Sequence, residues 1–206
     1  MCGRTRLLIP FSELAKLLRC ELDEWPDGVW NEIRPTESIP VIRLDDHGKR
    51  HLSAMRWGLI PSWAADKKMG GKLFNARVET AAEKPAFRSA WKKRRCLVIA
   101  DAFYEWSGPK GSRTPNVVER RDKAPIAMAG LWECWIDKST GEVVDSCTIL
   151  TRESDGPIKA VHDRMPVILS EDAQNDWLVD RAADPASVMT CSLTEGLTIM
   201  PIEKIA

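Results

Sequence analysis

Cys2 stands directly behind the initiator methionine, in Met1-Cys2-Gly3-Arg4-Thr5-Arg6. Loss of Met1 leaves a free α-amine and a thiol on neighbouring carbons, a pair no internal cysteine offers. An α-amine has a reference pKa of about 7.7–8.0, so a good share of it is neutral near neutral pH. Three more positions carry groups suited to proton transfer or hydrogen bonding. Asn75 sits in Phe74-Asn-Ala-Arg-Val-Glu-Thr80, Glu105 in Ala102-Phe-Tyr-Glu-Trp-Ser107, and His162 in Ala160-Val-His-Asp-Arg-Met-Pro166. Each has a plainer reading. Asn75 suits a helix N-cap. Glu105 suits a pairing with an arginine at a strand edge, since a carboxylate among aromatics is costly unless paired or functional. His162, followed by Asp163 and Arg164, suits a structural polar cluster.

Familiar catalytic signatures are missing. The chain has no G-x-S-x-G, no H-E-x-x-H and no P-loop, and Gly70-Gly71-Lys72 lacks the spacing and the following Ser or Thr. His47 and His51 flank a turn without an obvious third ligand, so no metal site is expected. The six cysteines (Cys2, Cys20, Cys96, Cys134, Cys147, Cys191) form no C-x-x-C pair. All but Cys2 read as small core hydrophobes; Cys2 lies in a polar, cationic stretch.

The elements that must position these residues are short. Ser12–Leu18 predicts a helix with Ser12 as N-cap. Pro26–Pro35 reads as a loop. Ile39–Leu44 and Leu52–Trp57 read as a hairpin around Asp45–Gly48, with Pro40 suited to an edge. Gly58–Trp63 is a loop, and Asp66–Lys72 predicts an exposed, mobile segment. Thr80–Trp91 suits a helix broken at Pro85. Strands follow at Cys96–Ala100, Phe103–Trp106, Ala127–Ile136, Cys147–Leu150 and Val167–Leu169. Ser170 starts a helix through Leu178, with acids near its N-terminal dipole. Lys92-Lys-Arg-Arg95 reads as a solvated basic face.

Many short strands without βα alternation imply a mixed α+β fold with a curved, antiparallel sheet. The 206 residues are 44% hydrophobic with a formal net charge of zero, ordinary for a soluble domain. No domain boundary or repeat is visible. A neutral chain needs a local basic patch to hold an anionic partner. No apolar run is long enough to span a membrane and no signal peptide is evident, so a cytoplasmic location is expected. Nine tryptophans against one tyrosine imply a Trp-rich core, with one or two left to stack on a planar ligand.

Together the blocks MCGR, Met55-Arg-Trp-Gly-Leu-Ile-Pro-Ser-Trp63, Asn75–Thr80, Phe87-Arg88 leading to Arg95-Cys96, Ala100–Trp106, Ala129-Gly-Leu-Trp-Glu133 and His162–Leu169 resemble the SRAP family. These are the SOS-response-associated peptidases, or abasic-site processing proteins. The resemblance implies one domain over residues 2–206, Met1 having been removed, with a barrel-like sheet core and peripheral helices. It implies that Cys2 forms a thiazolidine crosslink with the aldehyde of an abasic site in single-stranded DNA. Glu105 would deprotonate the amine, His162 would act as general acid/base, and Asn75 would orient the amine or a sugar hydroxyl. An associated β-elimination (lyase) path and autoproteolytic loss of Met1 go with it. Arg4, Arg77 and Arg164 are expected on flanking phosphates, Trp63 and Pro35 against bases, and Thr151 on the DNA path. No cofactor or metal is implied, and the expected form is a monomer, nucleoid-associated when bound. The competing reading is a cysteine peptidase or N-terminal-nucleophile amidohydrolase using Cys2, Glu105 and His162. One departure stands out: Glu32 replaces a neutral amide of the family pattern, placing a negative charge near the DNA path, and Arg34 follows two residues on. The chain also stops at Ala206, earlier than many members, without losing any of these residues.

Overall fold

The strands are β1 (Thr5–Leu7), β2 (Glu21–Leu22), β3 (Trp30–Ile33), β4 (Ser38–Leu44), β5 (Arg50–Trp57), β6 (Asn75–Arg77), β7 (Arg95–Ala100), β8 (Ala102–Ser107), β9 (Thr114–Arg120), β10 (Ile126–Ile136), β11 (Val143–Glu153), β12 (Arg164–Pro166) and β13 (Leu197–Pro201). The helices are α1 (Phe11–Leu17), α2 (Val78–Ala81), α3 (Arg88–Lys93), α4 (Glu171–Val179) and α5 (Pro185–Thr190). This computed structural model describes residues 2–23, 27–109, 111–179, 184–190 and 192–205.

The order β11-β10-β7-β4-β5 is antiparallel throughout, and β5 returns to β11 in parallel, pairing Ser146 with Arg56 and Cys147 with Trp57. That pairing closes a five-strand mixed barrel. A second sheet, β13-β9-β8-β1-β3, carries the N-terminus. Short helices flank the sheets, so the fold is α+β, as the pattern of short strands implied.

The barrel wall follows from the sequence. Arg95-Cys-Leu-Val-Ile-Ala100 is buried at every position, which a continuous apolar run in a strand covered on both faces allows. Trp91 of α3 and Trp177 of α4 meet edge to face at 5.6 Å beside it. The Arg95 guanidinium lies 4.4 Å from the Trp177 ring centre and 5.3 Å from that of Trp91. Half of the basic run is therefore not a solvated face. Arg95 is buried among tryptophans and Arg94 pairs with buried Glu133, leaving Lys92 and Lys93 exposed. Cys96 and Cys147 are fully buried, Cys20 and Cys134 partly so, and Cys191 lies outside the described residues.

Several local expectations give way to tertiary contacts. Ser12 is not the cap of α1; Pro10 precedes the helix, and the Ser12 hydroxyl and N–H both bond to the Asp27 carboxylate at 2.8 and 3.2 Å. Residues 30–33 are a strand rather than a loop, because β1 supplies their partners. Pro40 lies in an interior strand, yet β4 meets β7 only at Val41 and Ile42, so its missing N–H breaks no ladder bond there. The segment 66–72 is not a loose loop. Residues 67–72 form a 3-10 turn, with Asp66 accepting from the Lys68 N–H at 2.8 Å. Its Gly70 is buried against Gly58 so closely that a Cβ on either would come within 2.4 Å of the other's carbonyl oxygen.

At the other end of β5, His51 binds together three acids. Its Nδ1 lies 3.0 Å from Asp23, and its Nε2 lies 3.3 Å from Asp45 and 3.5 Å from Glu21. The Asp23 hydrogen bond, opposed by desolvation and supported by Asp45, holds the His51 pKa above its ordinary 6.5.

Two outcomes follow. Gly58 has φ +134°, a conformation open to few L side chains, so Gly58→Ala should lower the urea unfolding free energy by about 2 kcal/mol or more. For His51 the folded-state pKa is raised. Its stabilisation is complete below the unfolded pKa of about 6.5 and fades as pH rises through the higher folded value. The Tm difference between wild type and His51→Gln should therefore shrink as the pH is raised above that range.

Candidate active site and nucleic-acid interface

β1 runs antiparallel to β8, with Thr5 opposite Phe103 and Arg6 opposite Ala102. The Tyr104 N–H donates to the Arg4 carbonyl at 2.9 Å, carrying the register back towards the N-terminus. Cys2, two residues further back, lies close enough to Glu105 of β8 to feel its charge. Asn75, the first residue of β6, donates from Nδ2 to the Cys2 carbonyl at 2.6 Å. Asn75 is thus a tether between strands, not a helix cap. Its buried Oδ1 has no hydrogen-bond partner among the described residues.

Cys2 is fully buried, against the expectation of a polar and cationic setting. The adjacent arginines point their charge elsewhere, Arg4 to Glu32 and Arg6 to Glu119. Burial above all, and then the negative charge of Glu105, push the Cys2 thiol far up. Glu105 is itself only 2% exposed. The N-terminal tether, the thiol and the carboxylate therefore occupy one dry corner at the end of β8.

His162 lies just before β12, which pairs with the end of β11. Its Nδ1 lies 2.9 Å from the Arg164 backbone N–H and 2.7 Å from an Asp163 carboxylate oxygen, so the ring is held from the Asp163–Arg164 side. The Ser154 hydroxyl donates to its carbonyl at 2.6 Å. His162 borders a cavity of about 290 Å³ with Ser154, Lys159 and Asp163. At Thr151, β11 is flanked by Arg77 of β6 on one side and Pro166 of β12 on the other. One strand thus brings the Asn75 and His162 segments together.

The arginines are held by acids. Arg164 forks onto Glu79 at 2.6 and 2.9 Å and donates to the Thr151 carbonyl at 2.6 Å. Burial opposes ionisation of Glu79, but the Arg164 bonds outweigh it and hold the carboxyl below its ordinary range. Arg77 is exposed beside this pair. Thr151, expected on the DNA path, turns its side chain inward. It is fully buried with its hydroxyl 3.5 Å from the Ala76 carbonyl, and its own carbonyl anchors Arg164.

Glu32 was legible as a charge near the path, but not as a bridge. It joins Arg4 to Arg34, accepting from Arg34 Nε at 2.8 Å. Arg4 also lies 5.4 Å from the centre of the Trp106 ring. Trp63 is 59% exposed and Pro35 is half-buried. Pro35 leads a turn in which the Glu37 N–H reaches the Arg34 carbonyl at 3.0 Å and Thr36 adopts φ +80°. Turns of this shape favour glycine where Thr36 stands. The strain is held in place by Thr36 N–H on the Trp57 carbonyl and Arg56 Nη1 on the Thr36 carbonyl, both at 2.7 Å. Among the described residues no group of three or more His, Cys, Asp or Glu side chains is placed to hold a metal ion.

The family model for SOS response associated peptidase (SRAP) matches residues 1–205. The abasic site processing protein YoqW of Bacillus subtilis is 37% identical over 191 residues, covering 90% of this chain and 83% of its own. The abasic site processing protein HMCES of Xenopus tropicalis is 32% identical, covering 86% of this chain and 66% of its own. A crystal structure of a protein from Bacteroides thetaiotaomicron superposes with a TM-score of 0.87 at 24% identity, covering 98% of this chain and 93% of the other.

Backbone strain at Thr36 amounts to about 1 kcal/mol or more. Glycine there costs about 0.5–1 kcal/mol in unfolded-chain entropy. Thr36→Gly should therefore leave unfolding free energy unchanged or raised, whereas the same change in an unstrained strand destabilises. A clear drop in Tm would show that the turn carries no strain.

Proposed function

The chain belongs to the SOS response-associated peptidase (SRAP) family, and on that premise we propose that it captures abasic sites in single-stranded DNA through Cys2. The observation carrying this reading is the Asn75 bond that fixes the Cys2 backbone beside buried Glu105. Once Met1 is gone, by the chain's own chemistry or by a methionine aminopeptidase, that backbone ends in an amine. The amine attacks C1′ of the open-chain sugar and gives a carbinolamine. Loss of water gives an imine. The thiol then adds to the imine carbon: a C–S bond forms, the S–H proton passes to nitrogen, and a five-membered thiazolidine closes. The net change is one water released. A lysine can make the imine but has no thiol to close the ring.

In this scheme Glu105 takes the proton from the Cys2 ammonium, and His162 supplies a proton to the departing hydroxyl. The Asn75 Oδ1 is an acceptor suited to the amine or a sugar hydroxyl. Arg4, Arg77 and Arg164 meet phosphates, while Trp63 and Pro35 meet bases. No cofactor or metal enters, and one copy of the chain supplies every group. Because an imine acidifies the neighbouring C2′ hydrogens, β-elimination is a natural side path.

The raised thiol pKa weighs against the peptidase reading. A cysteine peptidase attacks an unactivated amide and needs a ready thiolate, and burial disfavours that thiolate here. A protonated imine is a far stronger electrophile and places less demand on the thiol.

The test is incubation with uracil-containing single-stranded DNA treated with uracil-DNA glycosylase, followed by a denaturing gel. Wild type should give a stable shifted band and Cys2→Ala none. Cys2→Ser should give a stable band only when borohydride traps its imine. A stable band from Cys2→Ala would sink the mechanism, and cleavage of peptides without a band would favour the peptidase.

A further inference from the structure

We propose that Glu32 is a built-in competitor of the DNA phosphate, occupying Arg4 and Arg34 in the DNA-free protein and thereby limiting how tightly undamaged single strands are held. This rests on the reading above that Arg4 faces the strand.

Glu32 spends both oxygens on guanidinium groups, Oε1 on Arg4 and Oε2 on Nε and Nη2 of Arg34. Its side chain is 15% exposed, against 34% for Arg4 and 55% for Arg34. The acid thus lies inside the pair of cations, whose outer edges meet solvent. Carboxylate and phosphate are the two oxyanions that a guanidinium fork binds with the same geometry. Glu32 therefore takes the donors that a phosphate's oxygens would take.

The backbone around this group is fixed, so only side chains can exchange partners. The Arg4 carbonyl is tied to the Tyr104 N–H. The Arg34 N–H donates to Glu37 Oε2 at 2.7 Å, and the turn beyond it is locked to Trp57 and Arg56. Arg4, Arg34 and ionised Glu32 together carry a charge of +1 rather than +2, and the Glu37 carboxylate on the Arg34 N–H lowers the local charge further in either case. A strand phosphate gains these donors only by displacing a carboxylate whose charge stays close by. Binding is then an exchange, with fewer counterions released than two unpaired arginines would give.

Single strands lose affinity with salt at a log–log slope of about 0.7 per phosphate neutralised. Glu32→Gln keeps the shape and removes the charge. Anisotropy with an undamaged oligothymidylate should show affinity up by roughly three- to tenfold near 0.1 M salt, and a slope steeper by about 0.7–1.4. The charge-matched control is Glu142→Gln. Glu142 is an exposed carboxylate that pairs with Lys67, not with Arg4 or Arg34. Glu142→Gln removes the same charge without freeing Arg4 or Arg34, so its affinity should stay close to that of wild type and below that of Glu32→Gln.

Arg34→Ala, which alters an exposed side chain and leaves Glu32 wholly on Arg4, should weaken binding several-fold and flatten the slope. It carries the test should Glu32→Gln fail to fold by its melting curve. Glu32→Gln binding no tighter than Glu142→Gln, or Arg34→Ala binding like wild type, overturns the inference while abasic-site crosslinking by wild type leaves the wider reading standing. The converse is also distinct. Tighter, steeper strand binding by Glu32→Gln with no crosslink from any variant supports the competitor and sinks the capture chemistry. No strand binding by any variant overturns both.

Discussion

The position of Asn75 at the Cys2 corner depends on two residue pairs, Ser146 with Arg56 and Cys147 with Trp57, where β5 and β11 run parallel and close the barrel. A parallel contact cannot be made by a tight hairpin, so the chain must travel round the wall before it forms. The Gly58 N–H to the Cys147 carbonyl and the Ile60 N–H to the Ser146 hydroxyl, both at 2.8 Å, extend the closure past the strand end. Beyond it the same edge of β11 accepts β6, pairing Ile149 with Asn75. The Phe74 carbonyl takes both the Trp57 indole N–H at 2.9 Å and the Ile149 N–H at 3.1 Å. Barrel closure and the position of Asn75 are thus one piece of geometry. The close approach of Gly58 and Gly70 belongs to it as well, because it returns the chain from β5 to β6.

The handling of charge follows a second pattern. The chain is neutral overall, and several of its arginines around the candidate site are held by acids. Arg164 lies on Glu79, Arg6 on Glu119, Arg94 on Glu133, and Arg4 and Arg34 share Glu32. Arg95 lies among tryptophans inside the wall. A surface of this kind has little long-range pull on a polyanion and relies on local geometry to hold one. In the proposed capture, one aldehyde rather than the strand carrying it decides the chemistry, and such a surface suits that.

The burial of Cys2 fits the same economy of exposure. A thiol held neutral and dry is protected from adventitious oxidation, which follows thiolate character and access. In the proposed chemistry its reactivity comes from the neighbouring amine, which exists only after Met1 is removed.

From the sequence alone came the α+β class, most strands and the family, and the nomination of Cys2, Asn75, Glu105 and His162 as candidate site residues. Apolar runs such as Cys96–Ala100 announce buried strands locally, and Cys2 is singled out by covalent position, since only a second residue can become an N-terminal aminothiol. What tertiary structure decided was partnership. Asp27, not Ser12, satisfies the start of α1, Thr151 points inward, and Arg95 leaves the basic run for a tryptophan stack. Asn75 became a tether and Glu32 a bridge because Cys2 lies 73 residues from the one and Arg4 28 from the other. A sequence pattern reports the period and polarity of its own neighbourhood. Hydrogen bonds and ion pairs between distant residues are set by barrel closure, and no local window contains it.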